Sequence, residues 1–299
     1  MTLSEQTWPT ATTNVAAVIG SPVRHSLSPI LHNAAFRATN QDWAYLAFEV
    51  PAGRAAEALV GMKALGLRGL SVTMPHKQAI ARVVDELSPA AARLDAVNCV
   101  VVRDGRLVGE NTDGIGFVRA FEEEFAVGAA GLRFAVLGAG GAARAVVLAL
   151  AAADAAEVVV VNRSAGPAEV AAALAGDRGR VGGHADISGV DVLINATPLG
   201  MANTQSAETF PFDPDLLLHG QIVVDLIYHP RETAIVGEAR RRGIQAGNGL
   251  GMLIHQAGVA FEFWTSVAAP IDTMREAALK HLTRSDDYER GDLTVAPVN

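Results

Sequence analysis

The stretch from Phe134 to Arg144, FAVLGAGGAAR, constrains the fold of this chain more than any other. Four apolar residues, Phe134 to Leu137, read as a short buried strand. Gly138, Gly140 and Ala143 follow at the spacing G-x-G-x-x-A, and an alanine- and leucine-rich helical run comes directly after them. The first glycine makes a tight turn, the second lets the backbone approach a pyrophosphate, and the third small residue lets helix pack on strand. The amides of the helix start, at the positive end of its dipole, then face the phosphates. Such a motif alone is weak. Its place between a strand and a helix gives it weight and predicts an α/β chain with a doubly wound dinucleotide-binding domain.

The chain has 299 residues, half of them hydrophobic, which is enough for two ordinary domains with sizeable cores. Its net charge of -8, with no basic block longer than Arg240 to Arg242, argues against nucleic acid as a partner. One cysteine, Cys99, excludes an internal disulfide framework and fits a reducing compartment. Residues 1 to 13 are polar and do not read as a signal peptide. No apolar stretch reaches the roughly 18 residues of a membrane span without glycine or charge. The expectation is a soluble, cytoplasmic protein with neither a membrane nor a nucleic acid as partner.

Strand and helix patterns alternate from the start. Val15 to Ile19 reads as a first strand, Ser28 as an N-cap with Pro29 opening a helix towards Arg37, Ala44 to Val50 as a second strand, Arg54 to Leu65 as a helix and Gly69 to Val72 as a third strand. This alternation implies a mostly parallel sheet. A helical pattern resumes over Gln78 to Leu87, and Asp104-Gly105 marks a hairpin between Asn98 to Arg103 and Arg106 to Gly109. A helix after Asn111-Thr112-Asp113-Gly114, with Phe117, Val118, Phe121 and Phe125 on one face, bridges to the second domain. There Val158 to Val161, Val192 to Asn195, Ile222 to Asp225 and Ile244 to Ala246 are the further strands. Helices over Met252 to Trp264 and Ile271 to Leu282 are expected to return to the first domain, with fraying from about Thr283. The predicted division is 1–113 plus 250–299 for substrate and 114–249 for the dinucleotide. Glycines near Asp113 to Gly116 and Gly247 to Gly251 are the expected hinges of a cleft between them.

The second strand of a dinucleotide site usually ends in an acid that binds the ribose 2′-hydroxyl, roughly 20 residues after the first glycine, whereas arginine there accepts a 2′-phosphate. Here the strand ends in Asn162-Arg163-Ser164. A guanidinium matches phosphate with paired donors, so NADP is favoured over NAD.

The motifs together, and in order, resemble the shikimate dehydrogenase family: VIGSPVRHSLSPILHN, SVTMPHK, DAVNCV, ENTDGIGF, VLGAGGAARA, NRS, INATPLGM, DLIYHP and GNGLGMLIHQA. They cover most of the chain up to the last helix. The resemblance implies NADP-dependent interconversion of 3-dehydroshikimate and shikimate, a step towards chorismate and the aromatic amino acids. It implies that Ser26 and Ser28 donate to the substrate carboxylate with Tyr228 nearby, and that Ser71, Thr73, Asn98, Asp113 and Gln256 line the ring hydroxyls. It places the cofactor against Gly138, Ala139, Gly140, Gly141, Ala142, Asn162, Arg163, Ser164, Thr197, Leu226 and Gly249. Lys77 would handle the proton, with Asp113 as its partner. An ordinary lysine holds its proton at neutral pH, and a neighbouring carboxylate strengthens that preference. Two roles stay open for Lys77: a proton shuttle, or a fixed cation that stabilises developing alkoxide charge.

Plainer roles compete at several positions. Ser28 and Asp113 could be helix caps, Asn98 and Asn111 turn residues, Tyr228 core filling and Cys99 a small buried residue. The eight histidines show no paired ligand spacing, so no metal site is expected. The chain also departs from the family at three places. Ser71 stands where the family usually has asparagine, which shortens one contact to a ring hydroxyl and opens the choice between shikimate and related acids. Pro167 stands where a second basic residue often follows, and Cys99 replaces a threonine. Two alternatives to the leading function stay open: a quinate-type hydroxycyclohexane carboxylate dehydrogenase with NAD(P), and a non-catalytic ligand sensor. The chain could be a monomer or a homodimer.

Overall fold

The computed structural model describes residues 8–201 and 209–289; the expectations for the two ends fall partly on residues 1–7 and 290–299, outside that range. The chain divides into two compact units. One comprises the residues up to Glu86, Val97–Gly109 and those from Ala257 on, the other Leu87–Ala96 and Glu110–Gln256.

The first unit is built on β1 (Asn14–Gly20), α1 (Ser28–Ala38), β2 (Trp43–Glu49), α2 (Ala55–Ala64), β3 (Gly69–Val72), α3 (Lys77–Ala81), β4 (Glu86–Leu87), β5 (Cys99–Arg103) and β6 (Arg106–Glu110). Its sheet has the order β2-β1-β3-β5-β6-β4. β1 pairs in parallel with both β2 and β3, and β3 pairs antiparallel with β5. The predicted hairpin turn is present, with Asp104 and Gly105 both at positive φ, as a two-residue turn between adjacent strands requires. Phe36, Tyr45 and Phe261 are almost wholly buried in this unit's core.

Two local expectations fail here. The helix expected from Gln78 to Leu87 stops at Ala81, because tertiary bonds capture the following residues. The Asp85 amide donates to the Leu107 carbonyl (3.0 Å), and the Asp85 carboxylate accepts from the Leu107 amide (2.7 Å) and from Lys63 (2.9 Å). Ser28 is not the cap of α1: Leu27 holds that position, and Ser28 is the first helical residue, its amide donating to Ser26 Oγ (3.3 Å).

The second unit contains α4 (Pro89–Leu94), α5 (Asp113–Phe125), β7 (Arg133–Leu137), α6 (Gly141–Ala152), β8 (Glu157–Val161), α7 (Ala165–Ala173), β9 (Gly179–Val181), β10 (Val192–Asn195), β11 (Ile222–Asp225), α8 (Ala234–Arg241) and β12 (Gln245–Gly247). Its six strands run in the order β12-β11-β10-β7-β8-β9, with every pair parallel. The period of two along β7 buries both faces. Phe134 and Val136 join a core with residues of α5, α6 and α7, while Ala135 and Leu137 join another with α8. This is a doubly wound sheet.

The helices α9 (Leu250–Thr265) and α10 (Ile271–Glu289) follow. α10 packs on α1, and it continues through Thr283, the point where fraying was expected. Gly114 and Gly116, predicted as hinge glycines, serve close packing of α5 inside the second unit. A Cβ at Gly114 would lie 2.5 Å from the Ala145 carbonyl oxygen of α6, and one at Gly116 would lie 2.6 Å from the Gln256 amide nitrogen of α9. Among the described residues no helix is long and apolar enough to cross a membrane.

Candidate functional site

In the first unit β1 has its successor β2 on one side and β3 on the other. That reversal opens a crevice outside the carboxyl ends of the strands, where open parallel sheets bind ligands. The loops leaving β1 and β3 meet there: Ser21 donates its amide to the Met74 carbonyl (3.0 Å), and Thr73 donates to Ile19 (3.0 Å). Ser26 lies in the first loop, with Ser28 behind it at the start of α1. Ser71 is the third residue of β3, Thr73 follows the strand, and Lys77 begins α3.

Asn98 joins the group from the chain entering β5. It is 5% exposed, and its carbonyl accepts from Val72 at 2.7 Å, while the Lys77 carbonyl accepts from Val97 at 3.0 Å. His76 is held away from this chemistry, its Nε2 lying 2.8 Å from the Val50 carbonyl oxygen. The first unit thus collects Ser26, Ser28, Ser71, Thr73, Lys77 and Asn98 at one end of one sheet. The set consists of uncharged donors and acceptors around a single ammonium group, which suits a polyhydroxylated acid.

In the second unit the reversal falls between β7 and β10. Gly138 ends β7 at φ +104°, a conformation that a side chain rarely adopts, and a Cβ there would lie 3.0 Å from the Ala196 carbonyl oxygen. The Gly138 amide donates to Val161 at the end of β8 (2.8 Å). Gly140 stands at the cap position of α6 without a capping side chain, and space is open where Cβ atoms of Gly140 and Gly141 would point. Ala139 and Ala142 are half-buried, and Ala143 is fully buried against the sheet. The first amides of α6 have no partners within the helix and are suited to receive a pyrophosphate.

At the end of β8 Arg163 is exposed, the Asn162 side chain donates to the Ser164 carbonyl (3.0 Å), and no acid stands at the strand end. A buried network organises the other lip. The Asn195 amide nitrogen donates to Asp225 (3.0 Å), and its oxygen accepts from both the amide (3.1 Å) and the hydroxyl (2.7 Å) of Thr197. Asp225 also accepts from Thr233 Oγ1 (2.7 Å) and the Ile227 amide (3.0 Å). Burial pushes the Asp225 carboxyl above the ordinary range against these three donors. Neither Asn195 nor Asp225 stood out in the sequence. Their signal was a polar residue closing each of two apolar strands, VLIN and IVVD.

Leu226 and Gly249 meet closely: a Cβ at Gly249 would collide with the Leu226 carbonyl oxygen, and the Gly249 amide donates to Ile227 (3.0 Å). Tyr228, two residues beyond Leu226, is half-buried, and burial raises its phenol. Asp113 is the first residue of α5, with Thr112 rather than Asp113 at the cap. Its amide donates to Asn111 Oδ1 (3.2 Å), and the Thr112 hydroxyl lies 3.4 Å from Gln256 Oε1. Asn111 itself donates to the Ala96 carbonyl (3.0 Å), a turn-fixing role. Cys99 is buried in β5. Among the described residues no group of histidine, cysteine and carboxylate side chains could hold a metal ion.

Comparison with known proteins matches residues 18–100 to the shikimate dehydrogenase substrate binding domain and residues 249–279 to the shikimate 5′-dehydrogenase C-terminal domain. The chain is 46% identical over 274 residues to the shikimate dehydrogenase (NADP(+)) of Moorella thermoacetica, covering 88% of this chain and 92% of that one. Among solved structures it resembles a shikimate dehydrogenase in complex with NADP+, with TM-score 0.86, 39% identity, and 91% and 97% of the two chains covered. It also resembles a quinate dehydrogenase of Corynebacterium glutamicum in complex with NAD, with TM-score 0.82, 31% identity, and coverage of 90% and 99%.

Proposed function

From the premise that the chain belongs to the shikimate dehydrogenase family, we propose that it catalyses the reversible NADP-dependent interconversion of shikimate and 3-dehydroshikimate. One observation carries the reading. The first sheet gathers serine, threonine and asparagine groups around Lys77 at its switch point, in a chain whose second sheet has a glycine turn, an open helix start and Arg163 in place of an acid.

NADP, when bound, supplies the hydride acceptor or donor. The residues present fit it. The amides of Gly140, Gly141 and Ala142 would receive the pyrophosphate, with Gly138 and Ala139 shaping the turn. Arg163, with Asn162 and Ser164, would take the 2′-phosphate, and Thr197, Leu226 and Gly249 would line the nicotinamide end. Ser26 and Ser28 donate to the substrate carboxylate, with Tyr228 supporting it. Ser71, Thr73, Asn98 and Gln256 orient the ring hydroxyls.

On oxidation the reacting carbinol loses a hydride from carbon and a proton from oxygen. Lys77, partnered by Asp113, serves that oxygen, either by taking the proton or as a fixed cation that stabilises the alkoxide. A turnover that follows a single basic limb with pH marks proton transfer; a flat profile marks the fixed cation. We place the enzyme in the cytoplasm, as a monomer or homodimer acting on a small molecule alone.

Ser71, together with the likeness to a quinate dehydrogenase, favours one second reading: a broader hydroxycyclohexane carboxylate specificity. Steady-state rates with shikimate and quinate, each with NADP+ and NAD+, test both. The highest kcat/KM is expected for shikimate with NADP+. A higher value for quinate with NAD+ selects the second reading, and no reduction of either cofactor by folded protein sinks both.

A further inference from the structure

Tyr45 is 1% exposed in β2, and its hydroxyl makes no hydrogen bond among the described residues. Strand register explains where it lies. Tyr45 stands opposite Ala16 of β1, and Ala16 stands opposite Gly69 of β3; Ser71, two residues beyond Gly69, therefore points to the same face of the sheet as Tyr45. The small Ala16 leaves the phenol room over β1, while the Trp264 indole fills the space over Gly69 and lies 5.9 Å from the Tyr45 ring.

Helix α1 covers this face. His32 stacks on the Tyr45 ring (centroids 4.3 Å apart, planes 16° apart), and Ser28 precedes His32 by one helical turn on the same side. The tyrosine backbone is clamped as well. β2 is an edge strand, and the Asn33 side chain takes the place of the missing neighbour, donating to the Tyr45 carbonyl and accepting from its amide at 2.9 Å each. Burial raises the phenol and keeps it protonated, and the neighbouring Ser71 and Ser28 hydroxyls act against that rise. A neutral donor and acceptor, with its ring stacked and its backbone clamped, therefore sits on the sheet face of Ser71 and beneath the helix side of Ser28, two serines that the proposed function assigns to substrate.

We propose that Tyr45 is a positioning residue for substrate binding. Ser71 Oγ donates to the Tyr45 hydroxyl, Tyr45 donates to Ser28 Oγ, and the Ser28 proton is thereby left to point at the substrate carboxylate. A serine hydroxyl has one proton, and an acceptor lone pair filled from behind fixes where that proton goes. The relay also gives Ser71 a use that asparagine would not have. It rests on the reading of Ser28 as a carboxylate ligand.

The test uses the full-length protein, with steady-state kinetics and calorimetric binding of shikimate. Tyr45→Phe keeps the ring and its stack on His32 but removes the proton. KM and Kd for shikimate should rise by about tenfold, with kcat and the KM for NADP+ within about twofold. Ser71→Ala, which also removes a ring-hydroxyl contact, should raise the KM for shikimate by about tenfold, and the double variant should raise it by less than the product of the two single effects, because both changes break one relay. A merely structural role would instead move the thermal midpoint and the KM for NADP+ together. Shikimate binding unchanged in Tyr45→Phe overturns the relay, as do penalties that multiply in the double variant. Should Tyr45→Phe fail to fold, Ser28→Ala and Ser71→Ala are combined instead: a KM penalty smaller than the product of the two supports the relay, and penalties that multiply overturn it. Wild-type protein that neither binds nor oxidises shikimate overturns the functional reading together with the relay, whereas failure of the relay alone leaves the wild type active.

Discussion

The carboxyl ends of the parallel strands in the two sheets solve a similar problem with different materials. Each site forms where the strand order reverses, beside β1 in the first unit and beside β7 in the second. At β1 the proposed recognition groups are side chains: Ser26 and Thr73 in two loops tied together by backbone bonds, and Ser28 and Lys77 at the starts of the helices that follow. At β7 they are mostly backbone: a glycine at positive φ, the amides of a helix start and a close approach between Gly249 and Leu226. A sugar-like acid needs individually placed hydroxyl and ammonium groups, whereas a pyrophosphate needs a converging set of amides. The two ends should therefore fail differently when altered. In the first, a lost side chain removes chemistry and spares the fold; in the second, an added side chain disturbs backbone and binding at once.

The sharpest break of this contrast comes from Lys77→Ala. Turnover should fall by about 10²- to 10⁴-fold while the circular dichroism spectrum and the KM for NADP+ hold, and near-normal turnover would remove Lys77 from the reaction. Arg163→Ala, which removes the charged side chain proposed to read the 2′-phosphate, should weaken NADP+ binding by about tenfold to a hundredfold, the worth of a charge-assisted hydrogen bond or two. Titration with NAD+ should show no such loss, and equal losses for both cofactors would mean that Arg163 does not read the 2′-phosphate.

Gly138→Ala forces a side chain into φ +104° beside the Ala196 carbonyl. It should cost about 1 to 3 kcal/mol in denaturant unfolding and weaken cofactor binding in parallel. Stability lost without any change in binding would separate the turn from the site.

The smallest effect concerns Asp225, whose carboxyl is raised by burial. The folded protein then holds a proton that the unfolded chain has released. Its contribution to stability is present below the ordinary carboxyl value of 3.8 and is lost as pH rises through the raised value. The stability of wild type minus that of Asp225→Asn should therefore shrink as pH climbs from about 4, read by thermal melts at stepped pH. A difference that grows with pH would show that the hydrogen bonds of Asn195 and Thr233 outweigh desolvation.

Much of the framework is legible before folding, for a physical reason. Gly69 to Val72, Val192 to Asn195 and Ile222 to Asp225 are strands with the very ends their apolar runs suggest, because a strand buried on both faces has no choice but continuous hydrophobicity. Asp104-Gly105 is legible because few residue pairs accept positive φ twice. Local patterns fail where distant groups capture the backbone. The helical pattern after Gln78 yields to Leu107 at Asp85, and Ser28 loses the cap position to Leu27 while keeping its place at the head of the helix. The short β9 carries only three residues, Gly179–Val181, two of them exposed, and so offers no periodicity to detect.

The residues of the candidate site were nameable from motifs, and so was the preference for NADP at Arg163, because these depend on residue type and spacing along the chain. Tertiary structure alone decided which of them share a sheet end, that Asn195 and Asp225 hold Thr197, and that Tyr45 lies between Ser28 and Ser71. Ser28 and Tyr45 stand 17 positions apart in sequence, Asn195 and Asp225 30, and Ser28 and Ser71 43. They follow from strand register and from a helix laid over one sheet face, which no local spacing encodes.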